Sequence, residues 1–479
     1  MNYTFPIQFP RPNQRLPRTK AKAEPKLWTF FLLLFVVLHV PLGFAFKLVP
    51  YLSTLHAAVS LAISLMFVIK RYPIGWVVAG CAYIVGAEAV WRMTDALVPY
   101  EFGKYAVLLV MATAILNDRP RVGGQLPILY AALLVPGALL TIIAVPDFGP
   151  LRQILSAELS GPACYVACGL FLLGRTMSRN DVLRCLVAIL APIATVAAIT
   201  FFGIRTADIQ FGASSNDAAS GGFGPNQVAA ALGLGMLACF LLLTSRLGGL
   251  MMKVTVIGLL VWFGIQAALT FSRSGLYYSV ASMLAGAAFL VTDVRRFVMV
   301  LVLGLILFGL GRFVIGPQLS AFTGGAIEDR FASTDLTGRG DLMKGDLIVF
   351  LHHPLLGVGV GLARQERTEA VGLSRRNHTE YTRLLSEHGL LGAIALVLIL
   401  VISAHSVTGQ RPGWPRACSA SLVAFGLIFM TGSGMRMAIP SFLLAFAGVR
   451  IVNPAFRRAR PALAGFSPRI AGLPSTLTI

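Results

Sequence analysis

The chain has 479 residues, of which 56% are hydrophobic and only 13% are charged, and its formal net charge is +20. Soluble globular proteins carry roughly 25% charged residues, so this composition excludes a water-soluble globule. The positive charge does not indicate nucleic-acid binding, because no soluble basic domain interrupts the apolar sequence. The composition instead predicts an integral membrane protein.

The first 27 residues are polar and basic, and no small-residue cleavage site follows the first apolar run. We therefore expect residues 1–27 to form a disordered cytoplasmic tail rather than a cleaved signal peptide. Residues 451–479, with several prolines and arginines, are predicted to form a second basic tail on the same side of the membrane.

Between the tails, apolar runs of about the 20 residues needed to cross a bilayer recur along the chain. They are continuously apolar, whereas the strands of a membrane barrel alternate between apolar and polar residues. The sequence therefore predicts an all-α polytopic integral membrane protein with roughly 12–14 transmembrane helices. The apolar runs lie near 28–46, 48–69, 74–90, 102–116, 126–145, 161–174, 182–202, 228–243, 254–271, 276–291, 297–315, 390–404, 417–430 and 437–449.

The basic residues predict the orientation, because Lys and Arg that flank short loops are retained on the cytoplasmic side. Placing the N-terminal tail inside also puts most basic loops inside and puts the long polar segment 316–388 outside. We accordingly expect an N-terminal transmembrane bundle at 28–315 and a C-terminal group of transmembrane helices at 389–450.

All six cysteines lie in or beside apolar runs, which favours packing roles. Cys164 and Cys168 would share one helix face, but no further Cys or His accompanies them as a metal site requires. We therefore expect neither a metal site nor a cofactor.

The longest polar interruption contains RGDLMKGDLIVFLHHPLLGVGVG and, after a charged loop, RRNHTEYTRLLSEHGLLG. A surface helix is predicted from Arg339, and Pro354 breaks it. Gly357, Gly359 and Gly361 then predict a flexible turn whose free backbone N–H groups could meet an anion. GVGVG lacks the strand, the glycine spacing and the downstream acid of a dinucleotide-binding fingerprint.

His378 is the main candidate for proton transfer, because imidazole exchanges a proton readily near neutral pH. It opens an amphipathic turn that includes Glu380 and Glu387 and leads into the apolar run near 390–404. A purely structural histidine is the alternative.

Several charged or polar residues are predicted at the outer side of the bundle. A charge at the bilayer centre costs about 2.5–3.5 kcal/mol, so retained charges are candidates for function. Arg273 lies in TFSRSG, Arg205 precedes a Gly-rich loop that leads to Asn226, and Arg436 lies in GSGMRMAIP. The alternatives are a snorkelling side chain for Arg273, loop and capping roles for Arg205 and Asn226, and a solvated charge for Arg339.

Four ordered blocks resemble those of the O-antigen ligase and O-antigen polymerase superfamily of bacterial envelope glycan enzymes. They are GPNQVAAAL at 224–232, TFSRSG at 270–275, HHPLLGVGVG at 352–361 and HTEYTRLLSEHGLLG at 378–392. The resemblance implies a multi-pass protein of the bacterial inner membrane with both termini cytoplasmic and one large periplasmic loop. In the family an asparagine often follows the histidine, whereas here Thr379 follows it and Asn377 precedes it.

The resemblance also implies a metal-independent glycosyltransferase whose donor is an undecaprenyl-diphosphate-linked oligosaccharide or polysaccharide. By similarity, His378 would be the general base, and Arg273 and Arg339 would hold the diphosphate. The expected supporting residues are Arg205, Asn226, Asn377, Glu380, Glu387 and Arg436.

Two acceptors remain open. A polymerase would extend another lipid-linked repeat unit into O-antigen, capsule or exopolysaccharide, and a ligase would transfer finished glycan to lipid A core. The form of HTEYTRLLSEHG favours the exopolysaccharide polymerase branch. Inner-membrane lipids and polysaccharide assembly proteins are the further expected partners. A transporter or flippase of a lipid-linked or anionic solute is the alternative class, and it predicts inverted repeats that the sequence does not display.

Overall fold

The computed structural model describes most of the chain between Lys26 and Val452. The described residues are 26–118, 125–206, 209, 211–212, 214–245, 249–291, 293–333, 339–372, 379–432 and 434–452. Most of the two predicted tails lies outside them.

Helices make up most of the described residues. Nine of them are long and apolar enough to cross a membrane, and three shorter apolar helices accompany them. This confirms the predicted all-α polytopic membrane fold. The helices of the bundle are α1 (Lys26–Leu48), α2 (Pro50–Ile69), α3 (Ile74–Met93), α4 (Phe102–Asn117), α5 (Leu126–Ala144), α6 (Phe148–Leu172), α7 (Arg179–Thr206), α8 (Pro225–Thr244), α9 (Leu250–Leu269), α10 (Ser274–Ala288), α11 (Val294–Leu310), α12 (Gly316–Phe322), α16 (Glu380–Thr408), α17 (Trp414–Phe429) and α18 (Ala438–Phe446).

Shorter elements join these helices. A π-helical turn at Gly311–Ile315 connects α11 to α12, and a 3₁₀ turn at Ala218–Ser220 precedes α8. Between α12 and α16 lie α13 (Ala326–Ala332), α14 (Arg339–His352) and α15 (Ala363–Val371). That this part of the chain forms a periplasmic loop stays a prediction.

The connections between helices collect at two ends of the bundle. At one end β1 (Thr176–Ser178) pairs in parallel with β2 (Arg450–Val452), and the start of α3 packs against Asp181. At the other end the Lys47 ammonium donates to the carbonyls of Met93 and Gly221, each at 3.2 Å. We call these the inner end and the outer end after the predicted orientation, which itself stays a prediction.

The centre of the bundle consists of α3, α7 and α8, whose side chains are mostly buried. Glycine and alanine recur in α3 and α8, and small residues let neighbouring backbones approach closely where lipid provides no hydrophobic drive. A Cβ at Gly86, for example, would lie 2.6 Å from the carbonyl oxygen of Ile189. The outermost helix, α11, has no buried residue, as suits a surface that faces lipid.

The crossing of α8 and α10 is the closest of these contacts. A Cβ at Gly275 would lie 1.8 Å from the carbonyl oxygen of Ala229, and one at Gly233 would lie 2.3 Å from the carbonyl oxygen of Gly275. The sequence blocks GPNQVAAAL and TFSRSG therefore lie in contact, with Gly275 of the second block packed against Ala229 of the first.

We expect Gly275→Ala to destabilise the protein by about 1–3 kcal/mol, because the methyl group must push α8 and α10 apart. Gly258→Ala on α9 is the matched control, since a Cβ there meets nothing within 4 Å. Thermal unfolding of the detergent-solubilised proteins, followed by size-exclusion chromatography, checks the difference. Equal melting temperatures for the two variants would contradict this account of the crossing.

Candidate functional site

A polar cleft opens at the outer end, where α6, α16 and the connection between α17 and α18 meet. It encloses about 250 Å³. Charged groups are expensive near the hydrocarbon, so their concentration here marks the cleft as the candidate site. The charged residues that line this first cleft are Glu158, Arg364, Glu380, Arg383, Glu387 and Arg436.

Arg383 lies at the base of the first cleft and is held by three carboxylates. Its Nε donates to Glu380 at 3.0 Å and its Nη1 to Glu387 at 2.6 Å, while Glu158 lies 3.8 Å away. Glu380 and Glu387 reach it because residues three and four apart share one face of a helix. Glu158 comes from α6, so the arginine also joins two helices that are distant in sequence. A buried guanidinium requires such pairing, because an unpaired buried charge costs several kcal/mol.

One wall of the first cleft is the segment 434–438, which we call the strap. The Glu380 carboxylate accepts a hydrogen bond from the Met435 backbone at 3.3 Å, and the Glu380 backbone donates to the Met430 carbonyl at 2.8 Å. Gly434 has φ +57°, a conformation that favours glycine. The start of α16 therefore holds the strap from the side of the first cleft.

A second charged cluster holds the strap from its other side. The Glu88 carboxylate accepts from the Ala438 backbone at 2.7 Å, and Arg92 donates to the Arg436 carbonyl at 3.1 Å. Lys104 donates to the Met435 carbonyl at 3.4 Å. Side chains of α3 and α4 thus fix the backbone that carries Arg436 into the first cleft.

This second cluster is itself an ion-pair network. Arg92 lies 2.5 Å from Glu88 and 3.8 Å from Glu101, and Glu101 also pairs with Lys104. The network extends to α8, because Arg92 donates to the Gln227 amide oxygen at 2.5 Å. It therefore ties three helices of the bundle to the strap.

The polar start of α8 also contacts the connection between α9 and α10. The Ser272 hydroxyl donates to the Asn226 amide oxygen at 2.7 Å. Arg273 follows at the N-cap of α10 and donates to the carbonyl of Ser333. Asn226 therefore joins the outer-end network through its neighbour Gln227, and Arg273 lies beside it.

The glycine-rich segment after α14 is bonded to its neighbours rather than open. The backbone N–H groups of Val358 and Gly359 donate to the carbonyls of Ser386 and Glu387, each at 3.1 Å, and that of Val360 donates to Gly137 at 3.2 Å. The prediction that the amides of this turn would be free to meet an anion is wrong for Gly357 and Gly359, because their N–H groups already donate to the carbonyls of His353 and Glu387. The segment instead fixes the helix turn that carries Glu387.

Glycines permit this close packing. Gly389 has φ +58° and ψ −136°, which kinks α16, and a Cβ there would lie 2.6 Å from the carbonyl carbon of Leu355. Next to it, His388 is fully buried, and a Cβ at Gly137 would lie 2.4 Å from its Nδ1. Neither ring nitrogen of His388 has a hydrogen-bond partner among the residues that the structure describes.

A buried ion pair attaches α14 and α15 to α16. Arg367 pairs with Asp346, and the Thr382 hydroxyl donates to the same carboxylate at 2.7 Å. Burial raises the pKa of Asp346 above its ordinary value, and the contacts with Thr382 and Arg367 oppose that rise. The pair positions α15, whose first turn carries Arg364 at the edge of the first cleft.

The structure brings together some of the residues predicted from the sequence. Glu380, Glu387 and Arg436 line the first cleft, and Asn226 and Arg273 lie in or beside the network around it. Arg205 does not line the cleft: it is exposed at the end of α7, 5.3 Å from the centre of the Phe201 ring.

The remaining predicted residues lie at the edge of the described chain. Arg339 begins α14, and its side chain is outside the description. Asn377 and His378 lie outside the described residues, and Thr379, the residue that follows His378, lines the first cleft.

Sequence reasoning missed Glu88, Arg92, Lys104 and Glu158. Each lies within or beside a long apolar run, where a charged residue is by default a functional candidate. The pair Glu88 and Arg92 also has the spacing of one helix face. Those two signals could have found the residues, whereas their partners on the strap could not be inferred from local sequence.

Comparison with known proteins agrees with the motif-based interpretation. A family model described as O-Antigen ligase matches residues 258–397, a segment that begins within α9 and ends within α16. The match confirms the superfamily identified from the sequence blocks. No curated protein matches the chain.

We expect Gly389→Ala to destabilise the protein by more than about 2 kcal/mol, because it combines a strained backbone with a clash. Gly372→Ala is the control: its φ is +70°, but a Cβ there meets nothing within 4 Å. The control isolates the backbone strain, which costs about 1–2 kcal/mol. The melting temperatures of the two variants are compared in detergent. If Gly389→Ala lowers the melting temperature no more than Gly372→Ala does, α16 and the glycine segment can move apart to accept the methyl group.

Proposed function

We propose that the chain, whose residues 258–397 form an O-antigen ligase domain, transfers glycan from undecaprenyl diphosphate to a sugar hydroxyl at the periplasmic face of the bacterial inner membrane. The product would be O-antigen, capsule or exopolysaccharide. Both termini would be cytoplasmic, which the even alternation of basic loops supports.

The observation that carries the proposal is the first cleft. Three arginines and three carboxylates line it at one end of an apolar bundle, where a lipid-linked substrate would place its head group. A guanidinium can donate two parallel N–H hydrogen bonds to two oxygens of one phosphate. Arg364 and Arg436 line the first cleft, and we propose that their guanidinium groups contact the diphosphate. Arg273 and Arg339 are proposed to complete its binding, as the family resemblance implies.

In the proposed reaction, the acceptor hydroxyl oxygen attacks the anomeric carbon of the donor sugar. A new glycosidic C–O bond forms, and the bond between the anomeric carbon and the phosphate oxygen breaks. The bond electrons leave with undecaprenyl diphosphate, and the hydroxyl proton passes to His378. Negative charge grows on the leaving diphosphate, so the attraction of the arginines strengthens in the transition state and lowers the barrier. The diphosphate is a good leaving group, and the proposed mechanism therefore requires no metal ion.

The role of His378 rests on its sequence position and on the family resemblance. It directly precedes Thr379, which lines the first cleft and caps α16 by accepting from the Tyr381 backbone at 3.2 Å. A base in this position contributes typically about 10²–10⁴-fold to the rate. Arg383 is surrounded by Glu158, Glu380 and Glu387. These carboxylates would neutralise its charge, so that Arg383 would not compete for the diphosphate with the arginines that contact it.

In a strain lacking the gene, we expect wild type but not His378→Ala to restore the envelope glycan, because the variant has no base for the acceptor hydroxyl. His353→Ala is the matched control, since His353 lies in the same polar region and its ring nitrogen lies 3.3 Å from the Glu366 carboxylate, outside the first cleft. Glycan profiles are compared at equal membrane abundance of each protein. Restoration by His378→Ala would remove this histidine as the base.

The intermediate that accumulates in the non-complemented strain distinguishes the two acceptors. Single repeat units on undecaprenyl diphosphate indicate a polymerase, because chain extension has stopped. Long lipid-linked chains indicate a ligase, because only the final transfer has stopped. Absence of both would contradict glycan transfer from this carrier.

We expect Arg364→Gln to lower transfer by about 10²-fold without changing the melting temperature, because it removes a phosphate ligand from an exposed position on the cleft edge. Arg312→Gln is the control, because Arg312 belongs to the π-helical turn and does not line the first cleft. Transfer is measured in membrane vesicles with extracted lipid-linked glycan. Unchanged activity of Arg364→Gln would exclude this residue from diphosphate binding.

A further inference from the structure

A second polar cleft lies on the other side of the strap, between the end of α3, the start of α4 and Phe223, which precedes α8. It encloses about 240 Å³. The residues that define its chemistry are Glu88, Trp91, Arg92, Asp95, Tyr100, Phe102 and Phe223. None of them belongs to the segment that matches the O-antigen ligase family.

The charges of the second cleft do not suit a phosphate. Its one lining cation, Arg92, is paired with Glu88 at 2.5 Å, and its guanidinium lies 4.1 Å from the centre of the Tyr100 ring. Asp95 adds a further carboxylate to the lining. The lining charges therefore sum to a negative value, which repels a second anion.

The same lining suits an uncharged ring that carries hydroxyl groups. Tyr100 is 52% exposed, and its ring lies 6.4 Å from that of Phe223, so the pair offers an apolar platform. Carboxylates accept hydrogen bonds from hydroxyl groups, and the Asp95 carboxylate lines the wall. An amphipathic ligand with a flat apolar face and polar edges meets both the aromatic platform and the carboxylate.

The strap connects the second cleft to the first. Arg92 and Glu88 line the second cleft and bind the strap backbone at Arg436 and Ala438, while the Arg436 side chain lines the first cleft. A glycan whose reacting sugar lies in the first cleft can therefore extend past the strap toward the second. The two clefts are adjacent parts of the same outer end.

We propose that the second cleft binds an uncharged sugar unit of the glycan, with Tyr100 stacking on the ring and Asp95 accepting from its hydroxyl groups. This inference rests on the proposed function, because it takes the substrate to be a glycan. The bound unit belongs either to the donor chain or to the acceptor, and the two sources share this chemistry.

Binding can be tested without turnover, in the His378→Ala protein. The probe is the strain's own glycan, extracted in its lipid-linked form and freed from the diphosphate by mild acid. Saturation-transfer NMR measures its affinity for the detergent-solubilised protein. We expect Tyr100→Ala to weaken binding about fivefold to tenfold through loss of stacking, and Tyr100→Phe to retain it. Asp95→Asn removes only the charge, since asparagine tolerates the positive φ of +49° at this position, and it should weaken binding by a smaller factor.

Tyr51→Ala is the matched control, because Tyr51 is 72% exposed on α2 and lines neither cleft. Failure of the free glycan to bind, or equal affinity in Tyr100→Ala and Tyr51→Ala, would overturn the proposal. The binding measurement does not depend on transfer activity. The proposal for the second cleft would therefore hold even if His378 were not the base.

A kinetic measurement then identifies the source of the sugar. With His378 intact, Tyr100→Ala should raise KM and leave kcat nearly unchanged, because binding in the second cleft is remote from the reacting atoms. A higher KM for the lipid-linked donor assigns the site to the donor chain, and a higher KM for the acceptor assigns it to the acceptor. A fall in kcat with both KM values unchanged would contradict a binding role.

Discussion

The pairing of buried charges is the constraint on which the outer end depends. A charged group that is buried without a partner costs several kcal/mol, so Arg92 and Arg383 can lie inside the bundle only because carboxylates surround them. Carboxylates among them also accept hydrogen bonds from backbone amides of the strap. The groups that neutralise the buried arginines therefore also hold the strap in position. Glu380 and Glu88 reach the strap from opposite sides, so the same short segment is held by charged residues of both clefts.

The first cleft extends beyond the limits of the family match. Residues 258–397 contain Arg364, Glu380, Arg383 and Glu387, but Glu158 and the strap belong to parts of the chain on either side. The matched segment thus supplies one half of the first cleft, and helices that carry no recognisable motif supply the other.

The fold class was predictable because it depends on local properties: runs of apolar residues, their length and the alternation of basic loops. Glu380, Glu387 and Arg436 were predictable for a related reason, since each interrupts an apolar pattern beside a recognisable motif. The role of Glu88 was not predictable, because its partner Ala438 lies 350 residues further along the chain. The glycine segment at 357–361 was misinterpreted for the same reason: glycines that leave amides open and glycines that allow close packing have the same sequence pattern, and only the distant acceptor groups on α5 and α16 distinguish them.

The parallel pairing of β1 with β2 has a consequence for biogenesis. β2 follows α18, so the ribosome supplies this strand only after every helix of the bundle has been synthesised. The strap, which lies between α17 and α18, arrives just before it. An insertion intermediate that lacks these last helices exposes Glu88, Arg92 and Lys104 without the backbone groups that bind them, in a setting where polar groups are costly. The strap contacts that complete both clefts and the strand pairing at the inner end therefore become possible only late in synthesis.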